Sequence, residues 1–249
     1  MSKIEWTGRT WNPVTGCSKI SAGCLHCYAE TLAARLQAMG LAKYARGFQP
    51  SCHEAALAEP SAWKKPQTVF VCSMADLFHE TVPFSFIDRV LDIVRLTGQH
   101  RYQILTKRAA RMAGYFAGRD IPENVWLGVT AESPLEAGRI EFLRNLPASV
   151  RFLSCEPLLG NLGRIDLTGI DWVIAGGESG VQARPMDPQW VRSLYRQAEE
   201  QGAAFFFKQW GAWGSDGVRR SKKDNGKTLD GRIIQMMPEP AARLCQEAG

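Results

Sequence analysis

The sequence predicts an α/β protein with parallel strands, arranged as a partial or complete (β/α) barrel of the TIM type. Short apolar runs alternate with amphipathic helical segments along almost the whole chain. The runs are almost continuously apolar, as expected for parallel strands that helices cover on both faces. Most runs also end in polar residues, and a barrel brings all of its strand ends to one rim, where active sites of that fold lie.

Seven segments rich in β-branched and aromatic residues are predicted as strands. They are 10–16, 68–73, 102–106, 125–130, 151–154, 171–176 and 204–208. The segments between them repeat apolar residues every three or four positions, which is the helical period. The predicted helices are 27–45, 84–97, 107–118, 134–147 and 188–202. Ser133 and Pro134 form a suitable helix start, and Gly202 a suitable stop.

We expect one barrel domain over residues 1–249. It carries a cysteine-containing loop at about 16–28, an insertion at 46–67 that covers an edge or the mouth, and a basic C-terminal extension at about 211–249. An open doubly wound sheet is the alternative, because it gives the same alternation of elements. That fold concentrates its ligand at one switch point, so polar residues after many consecutive strands favour the barrel.

Charged residues follow five consecutive predicted strands. The resulting candidates for catalysis are Asp76, Lys107, Glu132, Glu156 and Lys208. Polar residues also begin loops for structural reasons alone, so one such position identifies nothing. Their recurrence at successive strand ends is what predicts a functional rim.

The composition, with 45% hydrophobic and 22% charged residues, is ordinary for a globular protein. No apolar run approaches the roughly 20 residues that span a bilayer, so no membrane partner is expected. Residues 1–13 lack the apolar core of a secretory signal, which predicts a cytoplasmic protein. In that reducing compartment, clustered cysteines more often bind metal or perform chemistry than form disulfides.

The net charge of +5 is compatible with a polyanionic partner. Residues 214–232 hold six Lys/Arg and three Asp/Glu. A solvated loop is the simpler interpretation, and a nucleic-acid-binding strip at 219–227 is the sharper one. The nearby Trp210 and Trp213 either stack on bases or pack beside the rim.

Three of the seven cysteines lie within eleven residues, in the pattern C-x6-C-x2-C. They are Cys17, Cys24 and Cys27. A [4Fe–4S] cluster needs four ligands, and proteins usually supply thiolates. Three thiols therefore predict a cluster that keeps one iron open for an exchangeable ligand. A structural zinc site is the main alternative, because zinc also takes four ligands. The fourth zinc ligand would then come from His26, Cys52 or His53.

The remaining cysteines differ in what they predict. Cys72 and Cys155 follow apolar strand residues, and they are predicted as small core residues. Cys155 also stands next to the rim, so a role there stays open. Cys245 lies near the end of the chain and predicts nothing.

Several motifs occur in a fixed order between about residue 6 and residue 238. They are WNPVTGCSKISAGCLHCYAE, SMADLF, LTKR, NVWLGVT, SCEPLLG, WVIAGGESG and FFFKQWG. Together they resemble the phage and bacterial three-cysteine-motif family. That family is distantly like the radical S-adenosylmethionine (SAM) enzymes and is largely described as a domain of unknown function.

This resemblance implies a radical-SAM-like partial barrel with a [4Fe–4S] cluster at its mouth. It assigns Cys17, Cys24 and Cys27 to the cluster and places Tyr28 near the adenine of SAM. In radical SAM enzymes, SAM chelates the open iron, and one electron cleaves it to a 5′-deoxyadenosyl radical. The resemblance therefore also implies an electron donor as a partner. The usual spacing in those enzymes is C-x3-C-x2-C, whereas the first interval here has six residues.

The run GGESG resembles glycine-rich elements that hold SAM, although it follows a late strand instead of the second one. The first candidates for SAM binding are Gly176, Gly177, Glu178 and Ser179. Glycines admit close backbone approach, and Glu178 can accept hydrogen bonds from an ammonium or a ribose. A tight strand-to-helix turn is the structural alternative. Ser73 and Asp76, after the second strand, are the second candidates.

The leading hypothesis is an iron–sulfur enzyme that uses SAM for radical chemistry, with nucleic acid as one candidate substrate. A non-catalytic iron–sulfur or zinc protein that binds nucleic acid or a protein partner is the alternative. A DNA-repair enzyme of the photoproduct-lyase type is a third hypothesis. No G-x-S-x-G or P-loop motif is present, and the four histidines are scattered. Of these, His79 near the rim is either structural or a proton shuttle.

Overall fold

The computed structural model describes residues 4–239. The strands are, in chain order, β1 (Arg9–Trp11), β2 (Val14–Thr15), β3 (Ser51–Cys52), β4 (Thr68–Val71), β5 (Arg101–Thr106), β6 (Val125–Thr130), β7 (Val150–Cys155), β8 (Trp172–Gly176), β9 (Ala204–Gln209), β10 (Thr228–Leu229) and β11 (Arg232–Ile233). Seven of them form one parallel sheet in the order β1-β4-β5-β6-β7-β8-β9. The sheet curls into a half barrel, so the predicted barrel is confirmed in its partial form.

Helices cover the convex face of this sheet. They are α2 (Phe84–Leu96), α3 (Ala109–Phe116), α4 (Arg139–Arg144) and α5 (Pro188–Glu200). Helix α1 (Tyr28–Ala38) instead packs in a separate small cluster with Tyr44 and Met74, and a short α6 (Lys222–Asn225) follows the last strand of the sheet. Helix α1 is shorter than predicted because Gly40, with φ +73°, ends it in the left-handed region. The segment 156–171 joins β7 to β8 without a helix. Among the described residues, no helix combines the length and apolar character needed to cross a membrane.

Side chains on each strand point alternately to the helices and to the concave face. The helix-side residues form the largest apolar core. The concave face carries a second buried cluster, here called the aromatic layer: Trp6, Phe70, Trp126, Val150, Phe152, Trp172, Ile174 and Phe206. The ring of Phe152 lies over Gly128 on the neighbouring strand, where a Cβ atom would overlap it. This layer fills the half barrel below the carboxyl ends of the strands.

The insertion 46–67 packs beside β1, the edge strand of the sheet. Within it, β3 pairs antiparallel with β2. The Trp11 indole donates a hydrogen bond to the Ala56 carbonyl at 2.7 Å, and the Arg9 guanidinium lies 4.6 Å from the centre of the Trp63 ring. The insertion therefore covers the edge of the sheet, which would otherwise expose unpaired backbone groups.

Candidate functional site: a thiol-lined cavity at the barrel mouth

Cys17, Cys24 and Cys27 line one cavity of about 170 Å³ at the carboxyl end of the sheet. We call it the thiol cavity. The opposite wall comes from the ends of β4, β5 and β6 and the residues that follow them: Phe70, Cys72, Ser73, Asp76, Leu105, Thr106, Lys107, Arg108 and Thr130. The structure thus brings the three cysteines together with part of the predicted rim.

Local backbone geometry brings the cysteine loop (residues 16–28) over the mouth. Gly16 has φ +81°, and a Cβ atom there would overlap the backbone of Gln49. The next amide, that of Cys17, donates to the Phe48 carbonyl at 3.1 Å. A 3₁₀ turn (Ala22–Cys24) follows, and α1 begins directly after Cys27. Only glycine fits at position 16, because the loop must turn there in close contact with the insertion.

Asp76 is buried, and both of its carboxylate oxygens are occupied. One oxygen accepts from the Thr106 hydroxyl at 2.7 Å and the Phe78 amide at 2.9 Å. The other accepts from the Lys107 amide at 3.1 Å and from Nη1 of Arg108 at 3.2 Å. Asp76 therefore joins the ends of β4 and β5 and fixes the position of Arg108.

Arg108 connects this carboxylate to the cysteine loop. Its side chain is 4% exposed, and it donates to Sγ of Cys17 at 3.5 Å and to the carbonyl and hydroxyl of Ser18 at 3.2 and 2.9 Å. Its Nε donates to Glu80 at 2.9 Å. Burial and the charge of Asp76 raise the pKa of the Cys17 thiol to about 11, against the opposing effect of Arg108. A bound metal deprotonates such a thiol, so metal binding there releases a proton.

His79 supports the same part of the loop. Its Nδ1 accepts from the Thr81 amide at 3.2 Å, so the neutral ring carries its proton on Nε2, which lies 2.8 Å from the Ser18 hydroxyl. Burial lowers the pKa of His79, which favours the neutral ring. These contacts agree with the structural interpretation of His79.

Glu132 is fully buried and anchors the middle of the cysteine loop. One carboxylate oxygen accepts from the Gly23 amide at 3.2 Å and from the Ser21 hydroxyl, and the other accepts from Nη1 of Arg139 at 2.9 Å. A Cβ atom at Gly23 would lie 2.6 Å from this carboxylate. Glycine at position 23 therefore lets a buried, paired carboxylate approach the turn that carries Cys24.

Glu178 anchors the end of the cysteine loop in the same way. Nη2 and Nε of Arg184 donate to its two carboxylate oxygens at 2.7 and 2.9 Å, and Nδ1 of His26 lies 3.3 Å from one of them. Arg184 also donates to the Ala22 carbonyl at 3.0 Å. Burial by itself would raise the pKa of Glu178. The hydrogen bonds from Arg184 and His26, together with the charge of Arg184, lower the pKa by more than burial raises it, so the net shift is downward. The sequence made Glu178 the first SAM candidate, yet its carboxylate is already engaged.

Lys107 differs from these anchored carboxylates. It lines the thiol cavity, and its ammonium group makes no hydrogen bond or ion pair with any residue in the described range 4–239. Glu156 and Lys208, at the ends of β7 and β9, instead pair with each other at 3.0 Å and are partly exposed. Lys107 is therefore a cation that an anionic group entering the cavity can reach without breaking an existing ion pair.

The glycines of the run GGESG are explained by close packing of β8 against neighbouring strand ends. A Cβ atom at Gly176 would lie 2.8 Å from the Glu156 carboxylate, and one at Gly177 would overlap the Trp210 carbonyl. The Ser179 hydroxyl accepts from the Gln209 side chain at 3.1 Å. These contacts favour the tight-turn interpretation of the run.

Tyr28 and Ser73 lie together at the edge of the thiol cavity. The Tyr28 hydroxyl donates to the Ser73 carbonyl at 2.5 Å, while 56% of the Tyr28 surface remains exposed. The Ser73 hydroxyl donates to the Asn12 side chain at 3.2 Å. The aromatic ring is thus held at the mouth with much of its surface open to a ligand.

The cavity offers the three thiols of the predicted C-x6-C-x2-C set as candidate metal ligands. In residues 4–239, no three His, Cys, Asp or Glu side chains converge on a point that one metal ion could occupy. A structural zinc needs such convergence, whereas each thiolate of a cubane cluster binds a different iron. The proposed fourth zinc ligands lie elsewhere, since His26 faces Glu178, Cys52 is exposed and His53 contacts the Thr15 hydroxyl at 2.7 Å.

The size of the cavity separates the cluster from SAM. Its volume of about 170 Å³ is below the roughly 300 Å³ at which pockets for organic ligands begin. The cavity therefore has room for a compact group, and a molecule of the size of SAM would have to extend beyond it.

The other cysteines do not belong to the predicted C-x6-C-x2-C set. Cys72 and Cys155 are buried in the helix-side core, as predicted. Cys72 also forms part of the cavity wall, and its φ of 60° is uncommon for a residue other than glycine. Cys245, with the rest of residues 240–249 of the predicted C-terminal extension, falls outside the described residues.

Comparison with known proteins identifies a family but no characterised relative. No curated protein and no solved structure matches the chain. The likeness to radical SAM enzymes therefore stays a prediction. A family described as "Protein of unknown function (DUF5131)" matches residues 1–238, and the chain belongs to that family.

Proposed function

We propose that this protein is a [4Fe–4S] enzyme that performs radical chemistry with SAM. Cys17, Cys24 and Cys27 hold the cluster, and SAM binds the iron that they leave open. The observation that carries the proposal is the meeting of three thiols in one cavity, under a loop that three buried carboxylates anchor from three strand ends. Burying carboxylates costs free energy unless each one is paired. Here each of these carboxylates is bound by at least one group that belongs to the cysteine loop or contacts it.

Lys107 is the residue that we assign to the carboxylate of SAM. It is unpaired among the described residues, and it lies on the cavity wall with the thiols. Glu178, the first candidate from the sequence, and Asp76, the second, support the proposal instead as anchors of the loop. Tyr28 offers an exposed ring to the adenine. A reduced cluster held by Cys17, Cys24 and Cys27 would supply the one electron needed for reductive cleavage of SAM, so the proposal requires an external electron donor.

The experiment combines cluster loading with SAM cleavage. Protein purified without oxygen is reduced with dithionite and given SAM, and 5′-deoxyadenosine is quantified. We expect product from the wild type and from Cys52→Ala, whose thiol is exposed and outside the cavity. We expect none from Cys17→Ala, Cys24→Ala or Cys27→Ala.

Two outcomes contradict the proposal in different ways. A loaded and reduced cluster that neither binds SAM nor releases 5′-deoxyadenosine rejects the SAM assignment, and leaves the non-catalytic iron–sulfur protein. Colourless protein with stoichiometric zinc rejects the cluster itself.

A further inference from the structure

A second open surface lies beside the mouth, where the C-terminal segment crosses the ends of β8 and β9. It consists of two adjoining grooves of about 390 and 520 Å³, which share Ser221 and Lys222. The loop 179–181 after β8 bounds the first groove, and Lys208 at the end of β9 bounds the second. Lys208 also pairs with Glu156 at the rim. The second groove therefore adjoins the rim through Lys208.

The basic strip (residues 219–227) lines these grooves, and its charge is only partly neutralised. It holds five Lys/Arg and one Asp, which gives a net charge of 5 − 1 = +4. Arg220 pairs with Asp216 at 2.6 Å, and Lys222 and Lys227 share Glu5 at 3.5 Å each. Including these two carboxylates still leaves 5 − 3 = +2 on an exposed surface.

Two of the cations have no acidic partner in the described part of the chain. Lys223 makes no side-chain contact with a carboxylate, and it lines the second groove. Arg219 donates to two backbone carbonyls of the loop after β8, and it lies 5.9 Å from the centre of the Trp213 ring. Trp210 is buried and donates to the Thr228 carbonyl, so it packs the rim. A cationic groove with an aromatic ring nearby is a combination that proteins use to bind single-stranded nucleic acid.

We propose that these grooves bind the sugar–phosphate backbone of a single-stranded nucleic acid, and that a nucleotide of this strand reaches the mouth as the substrate. The role as substrate rests on the proposed function, whereas the binding surface lies on a different segment from the cysteine loop. A positively charged track attracts phosphates by releasing their counterions, with no need for base-specific contacts. An acidic protein is the other polyanion that such a surface could attract, and the test below includes it.

The test compares two lysine pairs at opposite ends of the sheet. Lys222 and Lys223 lie in the grooves, whereas Lys64 and Lys65 are exposed just before β4, at the amino end of the strands. The double variants Lys222→Glu/Lys223→Glu and Lys64→Glu/Lys65→Glu change the net charge equally. Full-length protein purified without oxygen is titrated against a labelled single-stranded DNA, an RNA of the same sequence and polyglutamate, at several salt concentrations.

We expect wild-type affinity to fall steeply with salt. The groove variant should bind about tenfold or more weakly, and the slope of log affinity against log salt should become shallower by about 1.4, or 0.7 for each lost phosphate contact. The control variant should stay close to wild type. The preference between the DNA and the RNA shows which strand is the natural one.

Three results overturn the inference: no binding at low salt, equal losses in both double variants, or polyglutamate binding as tight as that of the nucleic acids. Iron is measured in the same samples, so that the proposed cluster and the proposed nucleic-acid surface are tested independently. A loaded cluster without nucleic-acid binding rejects only the inference, and salt-dependent binding by iron-free protein rejects only the cluster.

Discussion

The concave face of the half barrel has two layers that the same strands supply, and the layers are built differently. In the aromatic layer, the rings contact one another directly, with centroids 4.8 Å apart for Trp6 and Phe70 and 5.7 Å for Phe152 and Trp172. At the rim above it, Glu132 accepts from the cysteine loop and from Arg139, Glu178 accepts from Arg184, and Asp76 accepts from the end of β5 and from Arg108. The aromatic layer is therefore held by contacts among its own rings, whereas the rim carboxylates bind partners from other segments, the cysteine loop among them.

The largest effect on folding should follow a cavity in the aromatic layer. Phe152→Ala removes a fully buried ring, which we expect to lower the free energy of unfolding by about 3–5 kcal/mol. The iron content per folded molecule should not change, because Phe152 belongs to the aromatic layer and does not line the thiol cavity. Denaturant unfolding and iron analysis measure the two quantities. Leu135→Ala, at a side chain that is 90% exposed, is the control. Loss of iron from the folded Phe152→Ala variant would show that iron binding at the rim depends on the aromatic layer.

The next largest effect should come from the carboxylate in the middle of the loop. Glu132→Gln keeps the shape but leaves partly buried Arg139 without its charged partner, and we expect a loss of about 3 kcal/mol in stability. Unlike the ring deletion, this change should also reduce the iron retained by folded protein, because a single amide oxygen cannot accept from both Gly23 and Arg139. Glu123→Gln, at an exposed position, is the matched control. Iron retention equal to wild type would contradict the anchoring role.

A smaller change tests the same contact from the loop side. Gly23→Ala places a methyl group 2.6 Å from the Glu132 carboxylate, so the turn that carries Cys24 has to shift. We expect a lower iron content with only a modest loss of stability. At Gly138, nothing lies within 4 Å of an added Cβ, so Gly138→Ala should leave iron unchanged. An equal iron content in the two alanine variants would contradict the explanation that Gly23 is needed for steric reasons.

The smallest structural effect should come from Lys107→Ala, because this side chain has no partner within residues 4–239 to lose. Stability and iron content should match the wild type, while the affinity for SAM should fall about tenfold to a hundredfold, as expected for one charge-assisted hydrogen bond. Equilibrium binding to loaded protein measures it. Lys19→Ala is the control, since Lys19 pairs with Glu30 outside the cavity. Unchanged SAM affinity would remove Lys107 from the proposed site.

The two layers also differ in how far the sequence predicts them. Strand alternation and apolar runs predict six strands of the sheet closely, and the strand ends correctly locate the rim. The partners of the rim carboxylates could not be predicted, because Arg108, Arg139 and Arg184 reach them only after the chain has folded. The sequence therefore predicted Asp76 and Glu178 as SAM ligands, although both side chains are engaged in the structure.

Two glycines in the cysteine loop show why the contacts of this loop could not be predicted from the sequence. Gly16 and Gly23 each directly precede a cysteine in the sequence, but only the structure relates Gly23 to the Glu132 carboxylate and Gly16 to the backbone of the insertion. Such close approaches depend on distances between elements far apart in sequence. Those distances cannot be inferred from a short sequence motif.

The metal and sulfide content of protein purified without oxygen tests the central claim most directly. Iron, acid-labile sulfide and zinc are quantified in the wild type, and the visible absorption spectrum is recorded. The account predicts brown protein with about four irons and four sulfides per chain, as in a [4Fe–4S] cluster, and with little zinc. Colourless protein that carries one zinc per chain and no sulfide would contradict it.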